Sequence, residues 1–512
     1  MRILLLNPPA PDTGWYHLEH LGLGYIAAVL RGCGHEVCLL DSNLEGLNVD
    51  DTFSRASAFA PIDVIGLTAM EPLTFQAGLA VAEQLRAQGI GNKVVAGGYF
   101  ASFWGKEVIE RFPSVDVVVL GEGERTIVDL IDALERGSPL SEVAGILHRE
   151  AGAVAVSPRR ALVSDLDQLP FPERDYVRRS YAQHHVAGVY ASRGCVHECT
   201  FCQIVRLYEL SSGSPYRTRS GANIAAELES LVSNHGIHNF LFVDDEFIQG
   251  SPRRIRALRE FVEVMRQTGL DIGFSIQYRA DQGHQRDLLA ALKSVGLTTV
   301  FIGVESGLES VLDRYDKKIN RGMVERSLAV ARELELMLIA GYILFDPYTT
   351  FDELQANVNY LTSEAAPTIL DLHGMIILKG TPDESRLSQQ GLLKEEGFQL
   401  YYRTHDPNMR AFKDLLGRYY PFSSPGVGNI YRLHLMIGRF ASSERDAARL
   451  AVVEAQARLR VLHHAFLQKA MADVLGKRDG GDWLQELEDA HAELAADSAR
   501  MIQEWEPILA TR

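Results

Sequence analysis

Short apolar runs alternate with helical patterns along most of this 512-residue chain. Within residues 1–150 the runs are RILLLN, EVCLLD, VIGLTA, KVVAGG and VDVVVLGEGE, and helical patterns lie between or after them. Apolar runs of this length are typical of strands buried on both faces, and their alternation with helices predicts a parallel sheet. The sequence therefore predicts an α/β chain that begins with a doubly wound, Rossmann-like domain.

A second alternating block covers residues 186–385, with predicted strands at HVAGVYAS, NFLFVDD, DIGFSIQYR, TVFIGVES, LIAGYILFD and LDLHGMII. Six such units are too few for an eight-stranded barrel and predict a (β/α)6 partial TIM barrel. Residues 151–185 mix Pro, Asp and Arg without a period, which indicates a connector. Residues 386–512 contain long helical patterns. We expect an α-helical C-terminal domain that caps the barrel and determines substrate choice.

Charge and composition exclude some classes of partner. A formal net charge of -16 would repel phosphates, so we expect neither nucleic acid nor an anionic membrane as a partner. No apolar stretch reaches the roughly 18 residues of a membrane-spanning helix, and the start MRILLLNPP lacks the features of a signal peptide. The five cysteines are odd in number and partly clustered, which favours a reducing, cytoplasmic location.

Three of the five cysteines lie within eight residues, at Cys195, Cys199 and Cys202 in the stretch CVHECTFC. A structural zinc site would need a fourth ligand, and His197 is poorly placed to supply it. A disulfide would leave one thiol over, and three packing cysteines so close together would be a coincidence. The favoured explanation is an iron–sulfur cluster held by three thiolates, with one iron open to a small molecule.

The stretch Cys195-Val-His-Glu-Cys199-Thr-Phe201-Cys202 resembles the cysteine motif of the radical SAM superfamily, with an aromatic residue before the last cysteine. The resemblance implies a 4Fe-4S cluster whose open iron binds the amino and carboxylate groups of S-adenosylmethionine (SAM). It also implies that an electron from the cluster cleaves SAM to a 5'-deoxyadenosyl radical. Phe201 would then belong to the SAM site, and a flavodoxin- or ferredoxin-type protein would supply the electron.

Polar residues at the ends of later predicted strands fit a SAM site. Asp244 and Asp245 stand at a strand end, where a carboxylate can meet an ammonium group, and Glu305 is placed to accept hydrogen bonds from ribose hydroxyls. Ser275, Gln277 and Arg279 share one face of a strand at a period of two, and the Arg279 guanidinium is suited to a carboxylate. For each residue taken alone, a solvated strand terminus remains the alternative. Their order behind the three cysteines favours SAM binding.

A doubly wound domain before such a barrel resembles the cobalamin-dependent subclass of radical SAM enzymes. The matching segments are NPP at 7–9, HLGLGYIAAVLRGCGHEV at 20–37, VVAGGYFAS at 94–102 and VDVVVLGEGERT at 115–126. Ligands of such sheets bind outside the carboxyl ends of the strands. The resemblance therefore implies a cobalamin site formed by Pro8, Pro9, His20, Leu21, Thr68, Met70, Gly97, Gly98, Tyr99, Gly121 and Glu122.

The chain departs from many cobalamin proteins in one respect. It lacks an Asp-x-His-x-x-Gly motif after the first strand, and His17 and His20 do not match that spacing. Radical SAM relatives often lack the motif too, so the departure leaves the lower axial ligand of cobalt unassigned. Surface or capping roles are the favoured interpretation of both histidines. Cys33 and Cys38 are predicted to be packing residues, and they are too few for the second cluster of a methylthiotransferase.

The resemblance implies C-methylation of an unactivated carbon in a small-molecule or peptide substrate, as in natural-product or cofactor biosynthesis. One SAM would supply the methyl group by way of cobalt, and a second SAM would supply the radical. A cyclisation, rearrangement or oxidation without methyl transfer is the first alternative. A non-catalytic sensor of SAM or cobalamin is the second. Tyr342 is a candidate for the substrate side of the barrel, with packing as its other interpretation.

Overall fold

The computed structural model of the chain describes residues 1–10, 18–363, 369–404, 406–440, 444–476 and 482–510. The first domain is a seven-stranded sheet in the order β2-β1-β3-β4-β5-β6-β7, with helices on both faces. Its strands are β1 (Arg2–Asn7), β2 (Glu36–Asp41), β3 (Val64–Thr68), β4 (Lys93–Gly97), β5 (Val117–Val119), β6 (Ile146–Glu150) and β7 (Ala153–Val156). Its helices are α1 (Leu21–Gly32), α2 (Ser42–Glu45), α3 (Val49–Ser57), α4 (Pro72–Ala87), α5 (Tyr99–Arg111) and α6 (Glu124–Arg136).

The first five strands are parallel, as the alternating pattern predicts, and their side chains form apolar layers against the helices on both sides. Strands β6 and β7 are added antiparallel at the edge of the sheet. The predicted boundary at residue 150 lies in the turn between β6 and β7, so the sheet continues to Val156. Short β-strands without a crossover helix explain why the sequence pattern assigned residues 151–156 to the connector.

The second domain is built on a parallel sheet in the order β14-β13-β12-β11-β8. Its elements are α7 (Val177–His184), β8 (Ala187–Val189), β9 (Ser192–Arg193), α8 (Ile204–Glu209), β10 (Arg217–Thr218), α9 (Gly221–His235), β11 (Asn239–Phe242), α10 (Pro252–Thr268), β12 (Gly273–Arg279), α11 (Arg286–Lys293), β13 (Leu297–Glu305), α12 (Glu309–Arg314), α13 (Arg321–Glu333), β14 (Met337–Tyr342) and α14 (Phe351–Leu361). The two-residue strands β9 and β10 pair with each other beside this sheet.

The sixth predicted barrel strand is an irregular extended segment. Leu344 donates a backbone hydrogen bond to His373 (2.9 Å), and Met375 donates one to Phe345 (2.8 Å). The segment thus continues the sheet beyond β14 without the regular ladder of a strand. The Rossmann-like domain, the partial barrel and the helical C-terminal region together confirm the predicted fold class.

The C-terminal region contains α15 (Pro382–Gln389), a hairpin of β15 (Leu393–Glu396) and β16 (Gln399–Tyr402), and the long helices α16 (Pro407–Met436), α17 (Arg445–Val474) and α18 (Trp483–Ala510). The long helices pack at the amino ends of the barrel strands. Asn239, which begins β11, donates its side-chain amide to the carbonyl of Leu435, and Gln456 donates to the carbonyl of Leu338 (3.2 Å).

These contacts place much of the C-terminal helical region at the amino ends of the barrel strands, although Phe412 near the start of α16 packs edge-on against Phe345 just beyond the carboxyl end of β14. Ligands of parallel αβ units bind at the carboxyl ends of the strands, and the expectation that these helices determine substrate choice stays a prediction. The hairpin β15–β16, which the helical pattern did not predict, packs instead on the first domain through Phe398 and Phe100. Among the described helices, none combines the length and the apolar character that crossing a membrane requires.

Candidate functional site

A cavity of about 240 Å³ lies between the carboxyl ends of the first sheet and the loop that carries the three clustered cysteines. We call it the cofactor cavity. Eight of the residues predicted for cobalamin line it, namely His20, Thr68, Met70, Gly97, Gly98, Tyr99, Gly121 and Glu122.

Three other residues of that prediction lie outside the lining of the described cavity. Pro8 packs against helix α4, where a Cβ on Gly78 would lie 2.6 Å from the proline ring. Pro9 is also buried. Leu21 packs against the first barrel strand, with its side chain 3.2 Å from the position of a Cβ on Gly188. His17 lies outside the described residues.

Two glycines bring bare backbone to the cavity wall. Gly98 has φ +106°, and a Cβ there would lie 2.8 Å from the carbonyl oxygen of Ala69. Gly121 has φ +68°, and a Cβ would lie 3.1 Å from the Ser211 hydroxyl. Neither position tolerates a side chain without strain. A glycine-lined wall at the carboxyl ends of parallel strands fits a broad, flat cofactor such as a corrinoid.

His20 caps helix α1 and forms part of the cavity wall. Its Nδ1 accepts a hydrogen bond from the backbone N–H of Leu23 (3.1 Å), so Nε2 carries the proton and donates to the Thr68 hydroxyl (2.9 Å). Burial lowers the pKa of His20 to about 4, which keeps the ring neutral. Both ring nitrogens are engaged within the protein, so His20 contributes a cap and a wall and offers no free nitrogen to cobalt.

The cysteine loop is held by its glycine and by the second domain. Gly194 has φ +85°, and a Cβ there would lie 1.8 Å from the carbonyl oxygen of Pro215. Its backbone N–H donates to the carboxylate of Asp245 (2.8 Å). Only glycine fits this position, because both the conformation and the approach of Pro215 exclude a side chain. The sequence Arg193-Gly194-Cys195 therefore fixes where the first thiol begins.

Each clustered thiol has a polar neighbour. Cys195 Sγ lies 3.5 Å from a carboxylate oxygen of Glu246, Arg279 donates to Cys199 Sγ (3.5 Å), and the N–H of Ile204 donates to Cys202 Sγ (3.5 Å). Burial raises the pKa of Cys195 well above its usual value and that of Cys202 to about 11. Buried thiols of this kind ionise when a metal compensates their charge, so the loop fits a metal cluster.

The three acidic side chains that follow β11 point in three different directions. Asp244 is buried, accepts from the N–H of Ala191 (3.0 Å) and bonds the Ser192 hydroxyl, so it orders the chain before the cysteine loop. Asp245 faces the cofactor cavity. Glu246 lies beside Cys195 and 3.3 Å from His197. The sequence interpretation named Asp244 and Asp245, assigned Asp244 to SAM, and missed Glu246, although all three carboxylates stand in one run.

Two of the strand residues predicted for SAM lie near the thiols or the acidic run. Arg279 contacts Cys199 and also donates to the carbonyl of Lys317, and Gln277 donates to the carbonyl of Asp244. Ser275 lies on the same strand β12 and is buried. These contacts bring β12 to the rim of the cysteine loop.

Glu305 and Phe201 meet at a buried lysine. Glu305 adopts φ +64° at a register shift of β13, and its carboxylate pairs with the ammonium of Lys317 (2.6 Å). The same ammonium lies 6.0 Å from the ring centroid of Phe201, which packs edge-on against Tyr315. Lys317 was not anticipated from the sequence, because it lies in a loop after α12 rather than at a strand end.

Tyr342 lies in the packed interior of the second domain. It is buried, its hydroxyl donates to Asn357 (2.8 Å), and it accepts from the N–H of Gly307 (3.0 Å). These partners belong to helix α14 and to the turn after β13. Both hydrogen bonds hold the outer layer of the barrel, and the described lining of the cofactor cavity does not include Tyr342.

Buried ion pairs join the two domains at the cavity. Glu122 of the first domain pairs with Arg193 (3.2 Å) and Arg217 (2.8 Å), and Glu124 pairs with Arg193 (2.6 Å). Burial alone would raise the pKa of Glu122, but the hydrogen bond and charge of Arg217, together with the charge of Arg193, hold it below its usual value. Arg193 also lies over the ring of Tyr25 (4.8 Å). The cavity wall is thus continuous across both domains.

Comparison with known families agrees with this geometry. Residues 16–131 match the B12 binding domain family, and residues 189–361 match the radical SAM superfamily. The first match covers strands β2 to β5 with the helices around them and ends within α6, and the second begins at the end of β8 and ends at the end of α14. Both cofactor-binding families are therefore present in one chain, in the order that the sequence resemblance implies.

The chain is also similar to individual proteins. It is 30% identical over 372 residues to an uncharacterized methyltransferase of Pyrococcus horikoshii, covering 70% of this chain and 77% of that protein. It is 27% identical over 430 residues to the anaerobic magnesium-protoporphyrin IX monomethyl ester cyclase of Synechocystis, covering 80% and 83%. Over 356 residues it is 26% identical to the hopanoid C-3 methylase of Methylococcus capsulatus, covering 68% and 65%.

Two solved structures share the fold. The cobalamin-dependent S-adenosylmethionine radical enzyme OxsB, with aqua-cobalamin bound, superposes with a TM-score of 0.76 at 18% identity, covering 98% of this chain and 80% of OxsB. The radical S-adenosylmethionine methyltransferase TsrM from Kitasatospora setae, with cobalamin and a 4Fe-4S cluster bound, gives a TM-score of 0.67 at 16% identity, covering 89% and 99%. Together with the family matches and the site geometry, these likenesses identify the protein: the chain belongs to the cobalamin-dependent radical SAM enzymes, and its cofactors are cobalamin, SAM and a 4Fe-4S cluster.

Proposed function

We propose that this enzyme transfers a methyl group from SAM to an unactivated carbon of a small-molecule or peptide substrate. This proposal rests mainly on the wall of the cofactor cavity, which includes Tyr99 and Glu122 from the first domain and Arg193 and Asp245 from the second. A substrate in this cavity would meet the cobalamin side and the cysteine loop together. The names of the methyltransferase and methylase relatives support the choice of methyl transfer.

The residues of the chain would hold the reacting groups in line. When bound, the cluster and SAM supply a radical that removes a hydrogen atom, and cobalamin supplies the methyl group. Cys195, Cys199 and Cys202 would hold three irons, and Arg279 would orient Cys199 through its hydrogen bond of 3.5 Å. The buried wall excludes water, which protects a reactive carbon from side reactions.

Three groups at the rim of the cysteine loop would position SAM. The Glu246 carboxylate, beside Cys195, is suited to the ammonium group, and the Arg279 guanidinium is suited to the carboxylate. The aromatic ring of Phe201 would pack beside the adenosyl group. Ser275, Gln277 and Glu305 would make the other proposed contacts, and Asp244 would act on the SAM site indirectly through Ala191 and Ser192.

Cobalamin would lie on the glycine-lined wall of the first domain. The proposed contacts are made by the eight predicted residues that line the cavity, and Pro8, Pro9 and Leu21 would act from behind that wall. Gly97 and Gly98 would allow close approach of the corrin ring, and Tyr99 would stand between that ring and the cysteine loop. Burial and the neighbouring charge of Asp245 raise the pKa of the Tyr99 hydroxyl, so it stays protonated at neutral pH.

The test measures SAM products in the anaerobic protein, loaded with iron, sulfide and cobalamin and supplied with a low-potential reductant. Methyl transfer predicts S-adenosylhomocysteine, whose formation requires the corrinoid, and 5'-deoxyadenosine, whose formation requires the cluster. The second candidate function is cyclisation or oxidation, which the similarity to the Synechocystis cyclase supports. An enzyme of that kind would form 5'-deoxyadenosine without S-adenosylhomocysteine. A sensor predicts neither product.

Two cysteine variants separate these outcomes. Cys199→Ala should abolish 5'-deoxyadenosine and lower the iron content while the corrinoid content stays unchanged. Cys33→Ala is the matched control, because Cys33 is exposed and lies outside the cysteine loop. Equal product from Cys199→Ala and the intact protein would contradict the proposal.

An electron donor of flavodoxin or ferredoxin type belongs to the proposal, because a radical SAM cluster needs an external electron. A cytoplasmic location is part of the same proposal, since the described cysteines are all free thiols. Reduced flavodoxin should replace the chemical reductant and support 5'-deoxyadenosine formation. Failure of every protein donor together with success of the chemical reductant would contradict this part alone.

A further inference from the structure

A second cavity of about 390 Å³ opens beside the cofactor cavity. Helix α5, residues 376–379 and the hairpin β15–β16 form most of its wall. Met70 and Tyr99 line both cavities, and Gln203, next to Cys202, lines the second. We call this second cavity the apolar groove. It therefore reaches the cobalamin side and the cysteine loop at the same place.

The open part of the apolar groove presents large apolar side chains to solvent. Ile376 is 68% exposed, Tyr401 47%, Met70 45% and Leu378 37%. Single exposed apolar residues are ordinary, but several around one concave surface indicate a ligand site. Inside the groove, the Phe398 ring packs edge-on against the rings of Phe100 and Trp104 in the first domain. The opening of the groove is thus apolar, and its base is formed by aromatic rings.

The charges around the apolar groove disfavour an anion. Its wall contains one lysine, Lys379, whose ammonium lies 4.3 Å from the centroid of the Trp104 ring. Three carboxylates surround that ammonium, those of Glu107 (3.9 Å), Glu384 (3.7 Å) and Glu395 (3.8 Å). Arg111 lies 4.9 Å from the centroid of the Phe398 ring and pairs with Glu395 (3.8 Å), so these three carboxylates face two cations before any ligand arrives.

We propose that the apolar groove binds an uncharged, hydrophobic small-molecule substrate and presents its reacting carbon past Met70 and Tyr99 to the cofactor cavity. This inference rests on the proposed function and names the substrate class that it leaves open. The residues that select the substrate are then Ile376, Leu378 and the hairpin β15–β16, whereas the described lining of the groove includes no residue of the long C-terminal helices.

The test is equilibrium dialysis of the cofactor-loaded protein against N-phenyl-1-naphthylamine, an uncharged aromatic probe, with bound probe quantified by chromatography. Loaded protein is required so that the probe does not enter the empty cofactor cavity. We expect saturable binding at one site. Ile376→Asp should weaken it at least tenfold, and Leu378→Asp, from the same wall, should do the same. Absence of saturable binding would overturn the proposal.

The matched control is Val461→Asp, which places the same charge at a residue that is 66% exposed on helix α17. It should bind the probe within twofold of the unaltered protein. Equal weakening by Val461→Asp and Ile376→Asp, or no weakening by either groove variant, would overturn the assignment of the site. Circular dichroism of all variants would show that the protein remains folded.

A second probe tests the charge preference. The compound 8-anilino-1-naphthalenesulfonate has the same ring system and one added sulfonate, and it should bind at least tenfold more weakly. Equal or tighter binding would overturn the uncharged class. Corrinoid content and SAM products are measured on the same samples. Loss of those products with intact probe binding would refute the proposed function and leave the groove in place, and the reverse result would refute the groove alone.

Discussion

The carboxylate of Asp245 accepts a hydrogen bond from the backbone N–H of Gly194 at 2.8 Å. Asp245 follows strand β11 and faces the cofactor cavity, whereas Gly194 stands directly before the first cysteine of the loop. A single carboxylate thus lies in the cavity wall and also fixes the start of the cysteine loop. Any change at Asp245 should therefore affect the cluster as well as the cavity.

Asp245→Ala should make the cluster easier to remove. The change leaves the N–H of Gly194 buried without its acceptor, which costs about 1–3 kcal/mol. Asp245→Asn keeps an oxygen that can accept the same hydrogen bond, so it is the matched control. The rate at which an iron chelator extracts iron should rise at least fivefold in the alanine variant and less than twofold in the asparagine variant. Equal rates would show that the hydrogen bond does not hold the loop.

Gly194→Ala should prevent assembly of the cluster. A Cβ at this residue would lie 1.8 Å from the carbonyl oxygen of Pro215, and φ is +85°. The loop must move to relieve the contact, and the movement displaces Cys195. We expect less than a quarter of the normal iron content after reconstitution. Normal iron content would contradict the assigned geometry.

Gly236→Ala is the control for the positive φ of Gly194, because it introduces a side chain at a similar φ without a collision. Gly236 has φ +67° at the end of helix α9, and nothing lies within 4 Å of a Cβ there. The substitution should cost about 1 kcal/mol in folding free energy and leave the iron content unchanged. The pair of variants thus separates strain of the backbone from collision with Pro215.

The fold and the cluster ligands could be predicted because their signals are local. Cys195, Cys199 and Cys202 stand in one short loop, and strand ends such as Gly97-Gly98 are visible as apolar runs that stop at glycine. The regular pattern of strands then gives the edge of the sheet at which ligands bind. These features require no knowledge of how distant segments pack.

The remaining site residues could not be predicted because they depend on how the two domains meet. Strand β11 ends at Phe242, so a period of two no longer indicates which way Asp244 and Asp245 point. Asp244 turns towards Ser192, and Asp245 turns into the cavity. Tyr208 reaches the same wall from a short helix after the cysteine loop, and no local pattern identifies it.

Glu122→Gln should weaken the junction between the domains. The change removes the carboxylate charge that Arg193 and Arg217 share, and it leaves two buried guanidinium groups with less compensation. Removing one partner from a buried ion pair typically costs about 3–5 kcal/mol. Arg193 retains its pair with Glu124, so we expect the lower end, about 3 kcal/mol, in urea denaturation of the cofactor-free protein.

Glu135→Gln is the control for the loss of a charge. Glu135 is 41% exposed and pairs with the amino terminus at 3.0 Å, so its substitution should leave the free energy of unfolding almost unchanged. Corrinoid affinity should fall in Glu122→Gln and stay the same in Glu135→Gln, because Glu122 lines the cofactor cavity. Comparable stability of the two variants would contradict the role assigned to the buried pairs.

His20→Asn should flatten the loss of stability in mild acid. The pKa of His20 is about 4 in the folded protein against 6.5 ordinarily, because burial disfavours the charged ring. As the pH falls below 6.5, the unfolded chain takes up a proton at His20 before the folded protein does, so stability is lost between pH 6.5 and pH 4. Because part of the His20 ring faces the cavity, we expect this residue to lower the free energy of unfolding by about 2 kcal/mol over that pH range.

Asparagine is suited to this test because its side-chain oxygen can accept from Leu23 as a helix N-cap and its amide does not titrate. Urea denaturation of the cofactor-free protein at pH 7 and pH 5 gives the change in unfolding free energy for both forms. Other buried histidines, such as His434 and His463, titrate equally in both forms and cancel in the difference. An identical loss in His20→Asn and the unaltered protein would show that His20 takes up its proton equally in the folded and unfolded states.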